Sequence, residues 1–361
     1  MLSSLAALTL SLALSLPSQA ATICNGHSEL CDRLYSNVTF LGAHDSYAVG
    51  SSIADNQSKN VTEQLDDGIR TLQIQTHNAT DGIHLCHTSC DLLDGGTLEN
   101  YLSSVASWVA ANPNDVITLV IVNIDDLPPT SFTSAFTSSG LQRYTYSPSA
   151  AEISLRDWPS LGTLIDSGKT VVVFMDQEAD FTSVPWIIDE FSNIFEDAFD
   201  VTEQSFACAV NRTAGSPSSQ MMLINHFLDS VYNFGGASFF VPNRALVNET
   251  NSATGVGSIG SHVDNCLQVW GRNPNHILLD FYDSNGIVPF NLVASLNGVS
   301  QPTNTITPDP VSATTTSGTG TAVVSTSPLS GGATSETRRS LGVMLGVVLG
   351  GIVLGMSVMG I

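Results

Sequence analysis

The sequence is poor in positive charge. Lys and Arg together number 11 against 33 Asp and Glu in 361 residues, and Lys59 and Lys169 are the two lysines. A formal net charge of −22 argues against nucleic acid as a partner and against electrostatic adsorption to anionic lipid, since both need a basic face. It suits solubility outside a cell. Aromatic residues are missing from residues 301–337, a Ser/Thr/Gly/Pro-rich run. Such a run has too little apolar surface to fold and reads as an O-glycosylatable stalk. Charge is missing from residues 341–361.

The ends carry their own signals. Residues 1–20 join an apolar stretch to the small residues Ser18 and Ala20, the pattern of a cleaved export signal, although no Lys or Arg precedes it. Residues 341–361 are long enough to span a bilayer. Arg338 and Arg339 would then lie outside, against the usual charge bias. Small residues at Ser330, Gly331 and Gly332, followed by a polar spacer, suit a GPI-attachment signal better than a C-terminal transmembrane segment. The expected layout is therefore a signal at 1–20, one domain at 22–300, a stalk at 301–337 and an attachment signal or span at 338–361.

Six cysteines in an exported chain suggest three disulfides, for which fifteen connectivities exist. Cys24 with Cys31 and Cys86 with Cys90 are close in sequence, which leaves Cys208 with Cys266. Sequons at Asn37, Asn56, Asn60, Asn78, Asn211 and Asn248 put those segments at the surface if they are used.

Short apolar runs recur along residues 22–300: "VTFLGA", "IRTLQIQ", "IHLC", "VITLVIVN", "TVVVFMD", "MMLIN" and "HILLD". Several are β-branched and apolar throughout, as strands covered on both faces are. "TLENYLSSVASWVAAN" and "VPWIIDEFSNIF" read as helices between them. Strand and helix alternate over a length that suits an α/β fold, a (β/α)8 TIM-like barrel, regular or irregular.

In such a barrel the C-terminal strand ends surround the active site. Here those ends read His44-Asp45, Gln75 to His77, His87, Asn123, Asp176, Asn225-His226 and Asp280. One polar end is turn chemistry; seven on one rim look like a site. Two histidines suit acid–base cleavage of a phosphodiester, one taking a proton from an attacking hydroxyl and the other protonating the leaving oxygen. Asp45 and Asp280 are available as their carboxylate partners.

The blocks "LGAHDSY", "QLDDGIRTLQIQTH" and "IHLCHTSC" resemble the X-region of the PLC-like phosphodiesterases, which include phosphatidylinositol-specific phospholipase C. "LCHTSCDLLDGG", "VVVFMDQEAD" and "NHILLDFYD" are similar to a fungal, exported branch. The resemblance implies that His44 is a general base acting on the inositol 2-hydroxyl and His87 a general acid with Asp45 as its partner. Asp280 stands where a second aspartate supports the base.

Strand two departs from the pattern. Metal-dependent relatives place carboxylates, and bacterial metal-free enzymes an aspartate and an arginine, where this chain has Gln73 and Gln75. Alternation puts Gln73, Gln75 and His77 on one face, as candidate substrate-binding groups. Neutral amides are poor ligands for a divalent cation, so no metal or other cofactor is expected. They donate hydrogen bonds to phosphate without neutralising it. Arg70 begins the strand and lies at the wrong end; Arg244 and Arg272 are the other candidate cations.

Three functions follow. The leading one is a metal-independent phosphodiesterase acting on an inositol phospholipid or glycolipid, held at the membrane by its C-terminal anchor. The others are a silent surface protein that binds a glycan or lipid headgroup, and a glycoside hydrolase using Asp176 and Asp280.

Overall fold

The computed structural model describes residues 20–234 and 237–308. The expected export signal, most of the stalk and the attachment signal lie outside the described residues. The strands are β1 (Phe40–Ala43), β2 (Thr71–Ala79), β3 (Gly82–Cys86), β4 (Asp94–Thr97), β5 (Ile117–Asn123) and β6 (Val171–Met175). They continue with β7 (Ile187–Asp189), β8 (Ile194–Glu196), β9 (Met221–Asn225), β10 (Asp229–Phe234), β11 (Ala237–Pro242) and β12 (His276–Leu279). The helices are α1 (Val61–Asp67), α2 (Leu98–Ala111), α3 (Thr133–Ser138) and α4 (Leu161–Asp166). After them come α5 (Glu190–Asn193), α6 (Val247–Thr250), α7 (Ile259–Trp270) and α8 (Val288–Asn297).

Eight parallel strands form one curled sheet in the order β7-β6-β5-β2-β1-β12-β9-β8. Its edge strands, β7 and β8, follow each other in the chain with only α5 between them. The barrel is therefore open at one seam. "VPWIIDEFSNIF" supplies both edges instead of the expected helix, because Ile187 and Ile188 pair with Val173 and Phe174 while Ile194 pairs with Met221. Only the turn Glu190–Asn193 is helical. Sheet pairing outweighed a helical period over so short a run.

"IHLC" also differs from its expected place. It is β3, antiparallel to β2 and outside the parallel series. β2 runs on to Ala79, turns through Thr80 and Asp81, and returns from Gly82 at a φ of 139°. This hairpin brings His87 back to the rim.

Helix α2 behaves as its pattern implies. Thr97 caps it by accepting from the Asn100 amide, and Leu98, Leu102, Val105 and Val109 are buried. It ends at Asn112, before Pro113. Two cores result from strand alternation. Leu72, Ile74, Leu119 and Ile121 belong to the core shared with α2, whereas Phe40, Val120, Phe174 and Leu278 pack with Tyr35 and Trp158 in the other, inside the barrel. Gly42 sits in this interior, where an added Cβ would come within 2.7 Å of Leu278 and 2.9 Å of Thr71. The floor beneath the rim is filled.

All three expected disulfides are present: Cys24–Cys31, Cys86–Cys90 and Cys208–Cys266. Packing continues past residue 300, since Ile306 is buried in the outer core. Five sequon asparagines are exposed, but Asn56 is fully buried. The surface reading of that sequon fails because its side chain is built into the rim.

Candidate active site

Residues 40, 42 and 44 share the inward face of β1 and its extension. His44 therefore stands one layer above Gly42, at the barrel mouth. Its Nδ1 lies 2.9 Å from Asp280 Oδ1, and its ring stacks on Phe227 with centroids 3.7 Å apart. Asp280 follows β12, the neighbour of β1 in the sheet. His87 arrives from the β3 end, in a loop closed by Cys86–Cys90. Its Nε2 is 3.7 Å from Asp45 Oδ2, and His44 Nε2 is 3.9 Å from the same oxygen. Two imidazoles thus flank one carboxylate.

Three backbone positions explain this convergence. Asp45, Thr88 and Phe281 have φ values of 39°, 60° and 41°, and they directly follow His44, His87 and Asp280. A left-handed residue is costly for a non-glycine, above all for β-branched Thr88, and such residues gather at functional sites. Each turns the chain sharply after its strand and leaves the preceding side chain aimed inward.

The two glutamines of β2 serve Asp45. Gln73 Oε1 accepts from the Asp45 amide at 2.7 Å, and Gln75 Nε2 donates to Asp45 Oδ2 at 3.1 Å. Neither amide is a strong ligand and both are already engaged, so this donor set does not fit a catalytic divalent cation. His77 shares their face but stands apart, with Nδ1 3.7 Å from Asp125. Burial lowers its pKa. Ser46, beside the pair in sequence, turns away onto Gln64 and Tyr101.

Electrostatics at the mouth are dominated by carboxylates. Burial disfavours the charge of His44, but Asp280 and then Asp45 outweigh it and raise its pKa to about 9. Burial raises Asp45, and it raises Asp229 to about 8 with help from Asp280. Arg244 and Arg272 do not supply a free cation. Arg244 donates to the carbonyls of Ser52 and Asp55 and covers Phe281; Arg272 binds the carbonyls of Pro217 and Gln220, ahead of β9. Arg70 pairs with Asp115.

The remaining polar ends are structural. Asp176 accepts from the Asn123 amide and faces Arg212 and Glu196. His226 and His262 join Nδ1 to Nδ1 at 3.0 Å, and burial lowers them to about 3 and about 4. His276 is buried on Thr71. Sequence reasoning missed Asn56, Gln57, Phe227 and Asp229. Asn56 Nδ2 donates to Asp280 Oδ1 at 2.9 Å, and Gln57 Nε2 binds the carbonyls of His44 and Leu279. The one advance signal, the sequon at Asn56, pointed to the surface.

Comparison with known proteins places the chain in a family. The PI-PLC X 1 family model covers residues 30–292, more than half of the chain. The chain belongs to the PI-PLC X family. An "Uncharacterized secreted protein" of Arthroderma benhamiae is 45% identical over 284 residues, 76% of this chain and 64% of that protein. The chain thus spans less than two thirds of that relative. A "PI-PLC X domain-containing protein 1" of the same organism is 46% identical over 74% of this chain and 87% of its own length. Among solved structures, the phosphatidylinositol-specific phospholipase C of Listeria monocytogenes aligns with 70% of this chain and 90% of its own, at 13% identity and a TM-score of 0.45.

Proposed function

We propose that this PI-PLC X protein is a metal-independent phosphoric diester hydrolase that cleaves an inositol phospholipid or glycolipid by two-histidine acid–base catalysis. The observation that carries the reading is the convergence of two Nε2 atoms on Asp45 Oδ2 within 4 Å, each histidine being held by its own strand end. His44 keeps its proton on Nδ1 and donates it as a hydrogen bond to Asp280 Oδ1, which leaves the Nε2 lone pair of the neutral ring as the base. His44 removes the proton of the substrate hydroxyl as its oxygen attacks phosphorus. His87 gives a proton to the departing oxygen as the P–O bond breaks. Asp45, between the rings, stabilises whichever imidazole is charged.

The full chain should hydrolyse phosphatidylinositol vesicles equally with and without strong chelator. His44→Ala and His87→Ala should each lose roughly a hundredfold or more. Inhibition by chelator that calcium restores would overturn metal independence.

A second reading has one observation in its favour. Both β2 amides are committed to Asp45, and the Asp45 and Asp280 carboxylates face the mouth while Arg244, the arginine nearest Asp280 among the described residues, is tied to backbone carbonyls. A phosphate transition state would meet little positive charge. If wild type is inactive but binds inositol phosphate or a glycan, the pocket is a receptor.

The reading includes export and attachment to the outer face of the membrane by a glycolipid. The Arthroderma benhamiae relative described as secreted supports export. The charge-free residues 341–361 behind Ser330, Gly331 and Gly332 support attachment.

A further inference from the structure

Asn56 heads the sequon Asn56-Gln57-Ser58, a glycan-acceptor pattern in an exported chain. Its side chain is nevertheless fully buried. Nδ2, the atom a glycan would take, donates to Asp280 Oδ1 at 2.9 Å and lies 3.2 Å from His44 Nδ1. The main chain is clamped on both sides: the Asn56 amide donates to the Ala48 carbonyl, and the Phe281 amide donates to the Asn56 carbonyl at 2.7 Å. Gln57 ties the same segment to the ends of β1 and β12, and Arg244 holds Asp55.

We propose that Asn56 is the positioning residue of the His44–Asp280 pair, and that its sequon is free of glycan in every folded molecule. Asp280 Oδ1 receives both the imidazole and the amide, while Asp280 Oδ2 accepts no hydrogen bond among the described residues. The amide therefore fixes which oxygen faces His44 and draws off part of its negative charge. Asp45 faces His44 from the end of β1, Asp229 from β10 and Asp200 from beyond β8, while Arg244 lies near Asp280. Within this set Asn56 is the neutral donor that reaches the His44–Asp280 contact itself. A glycan on Nδ2 would replace an amide hydrogen and would need an exit through a segment clamped on both sides.

Three measurements on the full chain test this. Peptide mapping of native protein from a eukaryotic host, deglycosylated in heavy-oxygen water, should find Asn56 unmarked; a mark there in folded protein overturns the proposal. In wild type labelled at Asn and His, the Asn56 side-chain amide resonance should shift with the His44 titration midpoint, and a pH-independent amide would overturn it. Asn56→Ala should raise the proton affinity of His44 about threefold or more, read by the same NMR titration. An unchanged midpoint would overturn it, and the wild-type titration decides if this variant does not fold. Only a matching shift in the pH–rate profile depends on the acid–base reading. Shifted NMR midpoints with no activity in wild type would sink that reading and leave the positioning role intact.

Discussion

At the scale of single residues, the decisive quantity is the proton on His44. A general base works in its neutral form, yet Asp280 and Asp45 hold this imidazole protonated up to about pH 9 against the opposing effect of burial. The lower limb of the profile of kcat/KM against pH reports the base of the free enzyme, so activity should climb toward about pH 9. Asp280→Asn removes the strongest favourable carboxylate and leaves Asp45 and Asp229 against the opposing effect of burial. Its limb should fall from about 9 toward that of an ordinary histidine, about 6.5. The maximal rate should fall roughly tenfold or more, because the Nδ1 proton is no longer fixed. A limb that stays near 9 in Asp280→Asn would mean that Asp280 does not set the base.

Elements decide whether those residues meet. The segment after β1 is held over the site by Arg244, whose guanidinium donates to two carbonyls and stacks 4.4 Å from the Phe281 ring centroid. Hydrogen bonds from a charged donor contribute about 1.5–3 kcal/mol. Arg244→Ala should therefore destabilise the protein by about 2 kcal/mol. It should also speed hydrogen exchange selectively across residues 48–57; uniform exchange in this variant would count against the clasp. None of this was legible beforehand, since a lone arginine 192 positions from its partner Ser52 carries no local pattern. The strands were more readable. Six of the eight parallel strands stand out as apolar runs because both of their faces are covered. β7 and β8 were hidden because strands of three residues are too short to display a period, and their pairing comes from β6 and β9. The histidines and both aspartates could be read from strand ends. Asn56 could not, because its role depends on a long-range contact with Asp280.

For the whole molecule, the buried ionisable groups make a joint statement about pH. Burial raises Asp197 and Asp229 to about 8. The unfolded chain releases these protons near pH 4. The native state therefore holds the extra protons, and stability falls as pH rises through that window. His44 adds to this: its contribution is complete below about 6.5 and is lost as pH rises through about 9. His226, His262 and His276 act oppositely, because burial keeps them neutral down to about 3, 4 and 3. Their cost disappears as pH rises to about 6.5, above which they have no further effect. Between about 6.5 and 9 the contributions of Asp197, Asp229 and His44 thus have the same sign. The melting temperature should fall steadily across that interval. The net charge of −22 adds surface repulsion of the same sign, but salt screens exposed charges far more than buried ones. The decline should consequently persist at high ionic strength and become shallower in Asp229→Asn. A flat or rising melting temperature from pH 6.5 to 9 would mean that these buried carboxyl groups do not hold their protons in the native state.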